Sequence, residues 1–374
     1  MESERKKLRI AILGIRGIPA NYGGFETFAE EMAPRLVKLG HSVTVYGRSN
    51  FIKTARRVHK GVKLVVLPTI AHKYLDTPVH ALLSTLHVLI RPYDVLLYCN
   101  SANSFCTFLP RLTGKRVILN VDGLEWKRSK WSSFGRWVYK ISEWMATFLP
   151  TCIVTDARDV QQYYERRFKT ASTYIPYGGI IGKVNTTEAL ERYGVRKNKY
   201  VLYVSRLEPE NNALAVIKAF EKVKTRCHLV IVGDAPYSHG YIKKLKSTKD
   251  PRIIFTGYVF GEGYREFQSH AACYIQATEV GGTHPALVEA MGHGNCILAH
   301  DVPEHREVLG NTGIYFDVKR PETLTGVLQG LLSRNDEIEK YRALTLKRVK
   351  AHYTWESVTA AYERLFYRCM RIRP

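Results

Sequence analysis

The sequence predicts an α/β chain of two doubly wound domains, and three observations predict it. Short apolar runs alternate with amphipathic helical patterns along the length, as parallel strands joined by crossover helices do. The alternation completes one set, pauses at a Pro-Gly cluster over residues 176–182, and starts again. Each half also carries a glycine-rich loop between a strand and a helix, where such sheets bind ligands. The 374 residues suit two domains of ordinary size.

The elements follow in order. L-R-I-A-I-L (8–13) is a first strand, and the glycine-rich loop 14–24 follows it. Phe25, Phe28, Ala29, Met32, Leu36 and Leu39 then recur at helical spacing. Further strands are expected at 43–46, 62–67, 94–98, 116–120 and 152–154, with an apolar helix at 78–90. The second set has strands at 200–204, 229–232, 252–255, 272–276, 296–299 and 314–316. Helices at 321–332, 337–350 and 354–371 close it. The expected domains are 1–180 and 183–353. A C-terminal helix, 354–374, is long enough to cross back to the first.

Composition narrows the class. Hydrophobic residues make up 45% of the chain, enough for two cores. No 20-residue apolar run reads as a membrane span. The apolar run near the N-terminus is too short for a signal peptide and reads as a strand. Seven cysteines without a C-x-x-C pair, with Cys99, Cys152 and Cys273 in apolar surroundings, read as buried thiols of a reducing cytoplasm, without a zinc site. The net charge of +22 implies an acidic partner: nucleic acid, anionic lipid or a phosphorylated substrate. Nucleic acid is the least favoured, because no zinc-finger spacing or RNA-binding motif is present.

The stretch A-T-E-V-G-G-T-H-P-A-L-V-E-A-M-G (277–292) carries the most chemistry. A glycine loop leads into a helix at Pro285, so backbone N–H groups and a positive dipole end face whatever lies in front. That suits phosphate or a sugar hydroxyl. Glu289, one turn in, can accept hydrogen bonds from a diol such as a ribose. A plain strand–loop–helix joint with a surface Glu reads equally from these residue types. The first loop, 14–24, fits neither G-x-G-x-x-G nor a Walker loop.

Several motifs together resemble glycosyltransferase family four. They are Gly23-Gly24 with Glu26, Ser205-Arg206-Leu207 with Asn212, and the segment Gly281 to Glu289 followed by Ala-Met-Gly. Residues 300–310 with Glu307, and Trp355-Glu356, resemble that family's following loop and C-terminal helix. Two longer motifs, I-x-G-x-R-G-I-P-A-N-Y-G-G-F-E-T and V-D-G-L-E-W-K-R-x-K-W, resemble the branch of bacterial rhamnosyltransferases that build surface polysaccharides. The resemblance covers nearly the whole chain. It implies a GT-B fold and retaining transfer of a sugar from a nucleotide-diphosphate donor to a glycan or lipid-linked acceptor, with neither a cofactor nor an obligatory metal. The chain departs from the pattern at three places: Gly281 stands at the first Glu of E-x7-E, Asn211 at the Lys of the Arg206 segment, and Asp122-Gly123 where many members carry a His near the acceptor.

The donor-binding residues so implied are Gly23, Gly24, Arg206, Gly281, Gly282, Thr283, His284, Leu287 and Glu289. Arg206 offers a planar fork to the diphosphate. Asp122 reads either as a turn residue, as Asp-Gly pairs are, or as the group that positions the acceptor. His284 caps the Pro285 helix or touches the sugar. Trp126, Lys127, Arg128 and Lys130 are the expected acceptor or membrane residues. They precede a helix whose Phe134, Trp137, Val138, Ile141, Trp144, Met145 and Phe148 share one face, opposite Arg136, Lys140 and Glu143. That face reads either as packed on the sheet or as lying in an anionic membrane interface. The expected location is cytoplasmic, peripheral on the inner face of the membrane. A nucleotide-sugar epimerase of the same architecture remains the alternative enzyme.

Overall fold

The computed structural model describes residues 6–21, 23–53, 56–72, 75–128, 131–235 and 238–371. The chain divides into two compact units. The first comprises Met1–Lys127, Trp131–Tyr177 and Trp355–Pro374, and the second Arg128–Lys130 and Gly178–Thr354.

The strands of the first unit are β1 (Arg9–Leu13), β2 (Ser42–Arg48), β3 (Val58–His59), β4 (Val62–Leu67), β5 (Val95–Cys99), β6 (Arg116–Asn120), β7 (Cys152–Thr155) and β8 (Thr173–Tyr174). They form one sheet in the order β3-β4-β2-β1-β5-β6-β7-β8. Every pairing is parallel except β3 with β4. Parallel strands are covered on both faces, so they read as unbroken apolar runs; all five residues of β5, V-L-L-Y-C, are buried. Strand order reverses between β1 and β5, where Ile10 pairs with Val43 on one side and Val95 on the other.

Helix Gly24–Lys38 buries Phe28, Met32 and Leu36. It packs against the C-terminal helix Trp355–Met370, with the rings of Phe28 and Tyr362 5.2 Å apart. That last helix is an integral part of the first unit. It buries Trp355, Tyr362 and Phe366, Asn120 donates to Tyr362 Oη at 2.8 Å, and Glu363 meets His41 at 3.0 Å. Of the cysteines expected to be buried, Cys99 and Cys273 are, whereas Cys152 is half-buried with its Sγ 3.0 Å from that of Cys369.

The second unit holds β9 (Tyr200–Val204), β10 (His228–Val232), β11 (Ile253–Gly257), β12 (Cys273–Gln276), β13 (Ile297–His300) and β14 (Ile314–Phe316). All are parallel, in the order β11-β10-β9-β12-β13-β14, so strand order reverses between β9 and β12. One face is covered by helices Ala213–Glu221 and Pro321–Leu331, whose Val216, Phe220, Leu324 and Leu328 join a core with Val201, Leu229 and Leu298. Both sheets are Rossmann-like. β3 and β8 have two residues each, too short for a period-2 signal to show.

Candidate functional site

Ligands of open parallel sheets bind beyond the carboxyl ends of the strands where strand order reverses. In the second unit that point is the β9/β12 pair, and both sequence-marked loops leave from it. The loop after β9 carries Arg206; the loop after β12 carries Gly281 to His284. They are tied together. Asn212 Nδ2 donates to Ala277 O at 2.9 Å, and the Glu279 N–H donates to Glu210 O at 3.1 Å. A third chain segment comes close: Gly233, at the end of β10, has φ +137, and a Cβ there would meet Ser205 O at 1.8 Å. Only glycine fits.

Arg206 is partly exposed, with a guanidinium nitrogen 3.8 Å from Glu208 Oε2. Its loop is held from beneath. Asn211 is buried and donates from Nδ2 to Arg206 O at 2.6 Å, while Tyr203 Oη donates to Asn211 O at 2.5 Å. The side chain at the resembled Lys position is therefore a brace inside the loop. Arg128 is buried too, 4.0 Å from Glu208 and 3.9 Å from Glu210. Arg128, expected among the acceptor or membrane residues, thus lies in the second unit beside the two carboxylates of the Arg206 loop. The E-P-E sequence at 208–210 was the available signal for this cluster.

His284 stands at the N-cap of helix Pro285–Gly292. Burial, then His305, Arg128 and Arg206, hold its pKa well below the usual imidazole value, so it is neutral. Its ring lies 5.0 Å from that of His305. His305 Nδ1 donates to His300 O at 2.7 Å, which leaves the lone pair on Nε2, and burial pushes its pKa down to about 4. His300 Nε2 is 3.8 Å from Glu279. The resembled segment 300–310 contains His305, but Glu307 was the residue it singled out.

Gly281 packs against His284: a Cβ there would lie 2.5 Å from the imidazole Cε1. A glutamate at 281 and this His284 position are sterically incompatible. Gly282 and Thr283 are buried beside it. Leu287 is fully buried in the core, and its N–H donates to His284 O at 3.0 Å. Its side chain supports the helix from inside. Glu289 is buried on the second turn, where Tyr264 Oη donates to its Oε2 at 2.5 Å and Gln268 donates to Tyr264 at 2.9 Å. The carboxylate is thus fixed in direction by a relay from a neighbouring helix, Gly261–His270.

In the first unit the reversal point lies between β1 and β5. Gly14 ends β1 with φ +83, and a Cβ would meet Cys99 O at 2.5 Å. Gly23 is the N-cap of helix Gly24–Lys38, in extended backbone. Glu26 is buried and accepts from the Arg16 N–H at 2.8 Å, so it anchors the loop. Asp122 follows β6 with φ +57, its N–H donating to Asn120 Oδ1 at 3.1 Å. Asp122 thus sits in a turn with a half-buried side chain, and burial, then the Glu26 and Asp122 carboxylates, push the Cys99 thiol well up in pKa. Lys127 Nζ lies 6.0 Å from the Trp126 ring. Lys130 lies outside the described residues.

Comparison with known proteins bears on the fold and on part of the chain. Residues 198–334 match a family model described as "Glycosyl transferases group 1", and residues 95–180 one described as "Domain of unknown function (DUF1972)". O-antigen chain mannosyltransferase B of Escherichia coli is 22% identical over 195 residues, 50% of this chain and 50% of the mannosyltransferase, so the match spans about half of that relative. Sucrose-phosphate synthase of Thermosynechococcus elongatus superposes with a TM-score of 0.81 at 14% identity, covering 98% of this chain and 100% of that one. Anabaena HepE, solved with UDP and glucose, superposes with a TM-score of 0.78 at 14% identity, covering 96% and 100%. The fold is that of GT-B glycosyltransferases, and the comparisons support a glycosyltransferase.

Proposed function

We propose that this chain is a retaining glycosyltransferase that moves a sugar from a nucleoside-diphosphate donor to a glycan or lipid-linked acceptor in surface polysaccharide synthesis, with rhamnose the first sugar to test. One observation carries the reading. The Arg206 loop and the Gly281–Glu289 loop and helix leave adjacent strands at the reversal point of the second sheet and are hydrogen-bonded to each other. A fork of donors, helix N–H groups and a fixed carboxylate then converge where a nucleotide belongs.

In this reading Arg206 and the N-terminal end of helix Pro285–Gly292 hold the diphosphate, and Glu289 accepts from the ribose hydroxyls. Neutral His284 hydrogen-bonds without adding charge. In the step, the bond between the anomeric carbon and the diphosphate oxygen breaks, and the electron pair leaves with the diphosphate. The acceptor oxygen bonds to the same carbon, and its proton passes to the departing phosphate. Charge develops on the diphosphate, so donors already aimed there lower the barrier. Asp122 orients the acceptor hydroxyl. No step requires a cofactor or a metal.

The test is a panel of nucleotide sugars scored for thermal stabilisation and slow hydrolysis, with Arg206→Lys alongside. Expected are a clear preference for one nucleotide and a much slower Arg206→Lys variant, because the planar fork is lost. Stabilisation by no nucleotide sugar counts against the proposal. Donor isomerisation without acceptor would establish an epimerase instead.

A further inference from the structure

Helix Ser133–Ala146 is inverted for a helix in water. Its buried side consists of Gly135, Ser142, Glu143 and Ala146. Its apolar residues face out: Phe134 is 72% exposed, Trp137 57% and Trp144 55%. A surface helix normally buries its apolar stripe. Among the described residues the exposed rings pair with one another, Phe134 on Trp137 at 5.9 Å and Trp144 on Phe148 at 4.8 Å.

The neighbours repeat this chemistry. The helical stretch Ser101–Thr107, continuing into Phe108–Leu112, packs against this helix, and helix Asp76–Leu89 packs against that stretch. Phe105, Phe108 and Leu112 are exposed on the first of these. Leu82 and Leu86 are exposed on the second, and Ile90, just past its end, is 79% exposed. Single exposed apolar residues are ordinary, whereas adjacent helices all presenting them mark an interaction surface.

Charge selects the occupant. Residues 77–93, 101–115 and 126–150 hold one carboxylate, Glu143, and it is buried. Arg91, Arg111, Arg136 and Lys140 are exposed there. Arg111 donates to the carbonyls of Leu149 and Pro150, and Lys115 to that of Arg91, which places these cations beside the apolar residues. A second copy meeting this face through a two-fold axis would bring the same cations against them. An anionic leaflet brings the opposite charge and an apolar phase behind it. Among the described residues no helix is long and apolar enough to cross a membrane.

We infer that this face of the first unit docks on an anionic bilayer. Phe134, Trp137 and Trp144 enter the headgroup region and Arg111, Arg136 and Lys140 pair with lipid phosphates. The inference rests on the proposed lipid-linked acceptor for its purpose, but its evidence is independent of the transfer chemistry.

The experiment is co-sedimentation with vesicles of phosphatidylcholine alone or mixed with about one-third phosphatidylglycerol, at low and high salt. Wild type is compared with Trp137→Ser/Trp144→Ser and with Arg136→Ser/Lys140→Ser. All four side chains are exposed, and thermal melting checks that each variant folds. Binding is expected only to the anionic vesicles, falling with salt and by about tenfold or more in each double variant. A wild type that ignores anionic vesicles, or variants that bind as well as it does, overturn the inference. So does a wild-type dimer that the tryptophan variant turns into monomer. Donor hydrolysis is measured on the same preparations without vesicles. Turnover without vesicle binding removes this surface and leaves the transfer proposal standing; vesicle binding without turnover does the reverse.

Discussion

Asn211 shows how a residue can depart from a resembled motif and still be needed. Its amide donates to Arg206 O and its own carbonyl accepts from Tyr203, so it braces the loop that presents Arg206. Asn211→Lys would bury an ammonium and break the amide contact. We expect it to cost about 2–4 kcal/mol of stability, with no gain in nucleoside-diphosphate affinity. Denaturant midpoints and a nucleotide titration would check this; tighter nucleotide binding by a stable variant would refute it. Spacing left Glu289 open between a ribose ligand and a surface residue, and its partner was not legible, because Tyr264 is remote in sequence. Glu289→Ala should weaken nucleotide binding by about 1.5–3 kcal/mol, as loss of a charged hydrogen-bond acceptor does. Calorimetry showing unchanged affinity would remove the ribose role. The core position of the Leu287 side chain was not legible, because a motif marks a segment, not which way each side chain points. In this helix Leu287, Val288, Ala290 and Met291 are all buried, and only Pro285 and Ala286 of its apolar residues are half-exposed.

At the scale of an element, helix Ser133–Ala146 separates what periodicity reveals from what it leaves open. The aromatic face was readable from the 3.6-residue repeat. Which face is inward was not, since an amphipathic pattern reads the same packed on a sheet or laid on a membrane. The structure turns Glu143 inward, where Tyr163 Oη donates to it at 3.0 Å and burial pushes its pKa up to about 7. A carboxyl raised from 4.5 is favoured in its protonated form by folding, so it destabilises progressively as pH climbs from 4.5 to 7. Glu143→Gln keeps an acceptor for Tyr163 and removes the buried charge. It should raise stability by about 2–3 kcal/mol at pH 8 and change little at pH 5. Melting curves at the two pH values would decide; equal effects at both would show that Glu143 is not the titrating group.

Across the whole molecule, the double winding was legible because parallel strands buried on both faces leave continuous apolar runs, and loops punctuate them. The contacts that close each unit were not legible, since they join distant segments: Asn120 to Tyr362 in the first, and Asn212 to Ala277 in the second. Acid sensitivity is a property of both units together. His80 in the first, and His293 and His305 in the second, are buried, and burial lowers each pKa from 6.5 to about 4. Above pH 6.5 these imidazoles are mostly neutral in the folded and unfolded chain alike, and stability is indifferent to them. Below 6.5 the unfolded chain takes up protons that the folded chain refuses. Stability therefore falls until about pH 4, where the folded imidazoles protonate as well. Each group contributes a loss of roughly 3 kcal/mol, at about 1.4 kcal/mol per pKa unit. Glu143 works in the opposite direction over the same range and offsets about one of the three. The expected result is a net loss of several kcal/mol between pH 7.5 and 4.5, seen in urea midpoints, with the decline smaller in His305→Asn than in wild type. Midpoints that stay level across that interval would mean that the buried imidazoles take up protons without unfolding.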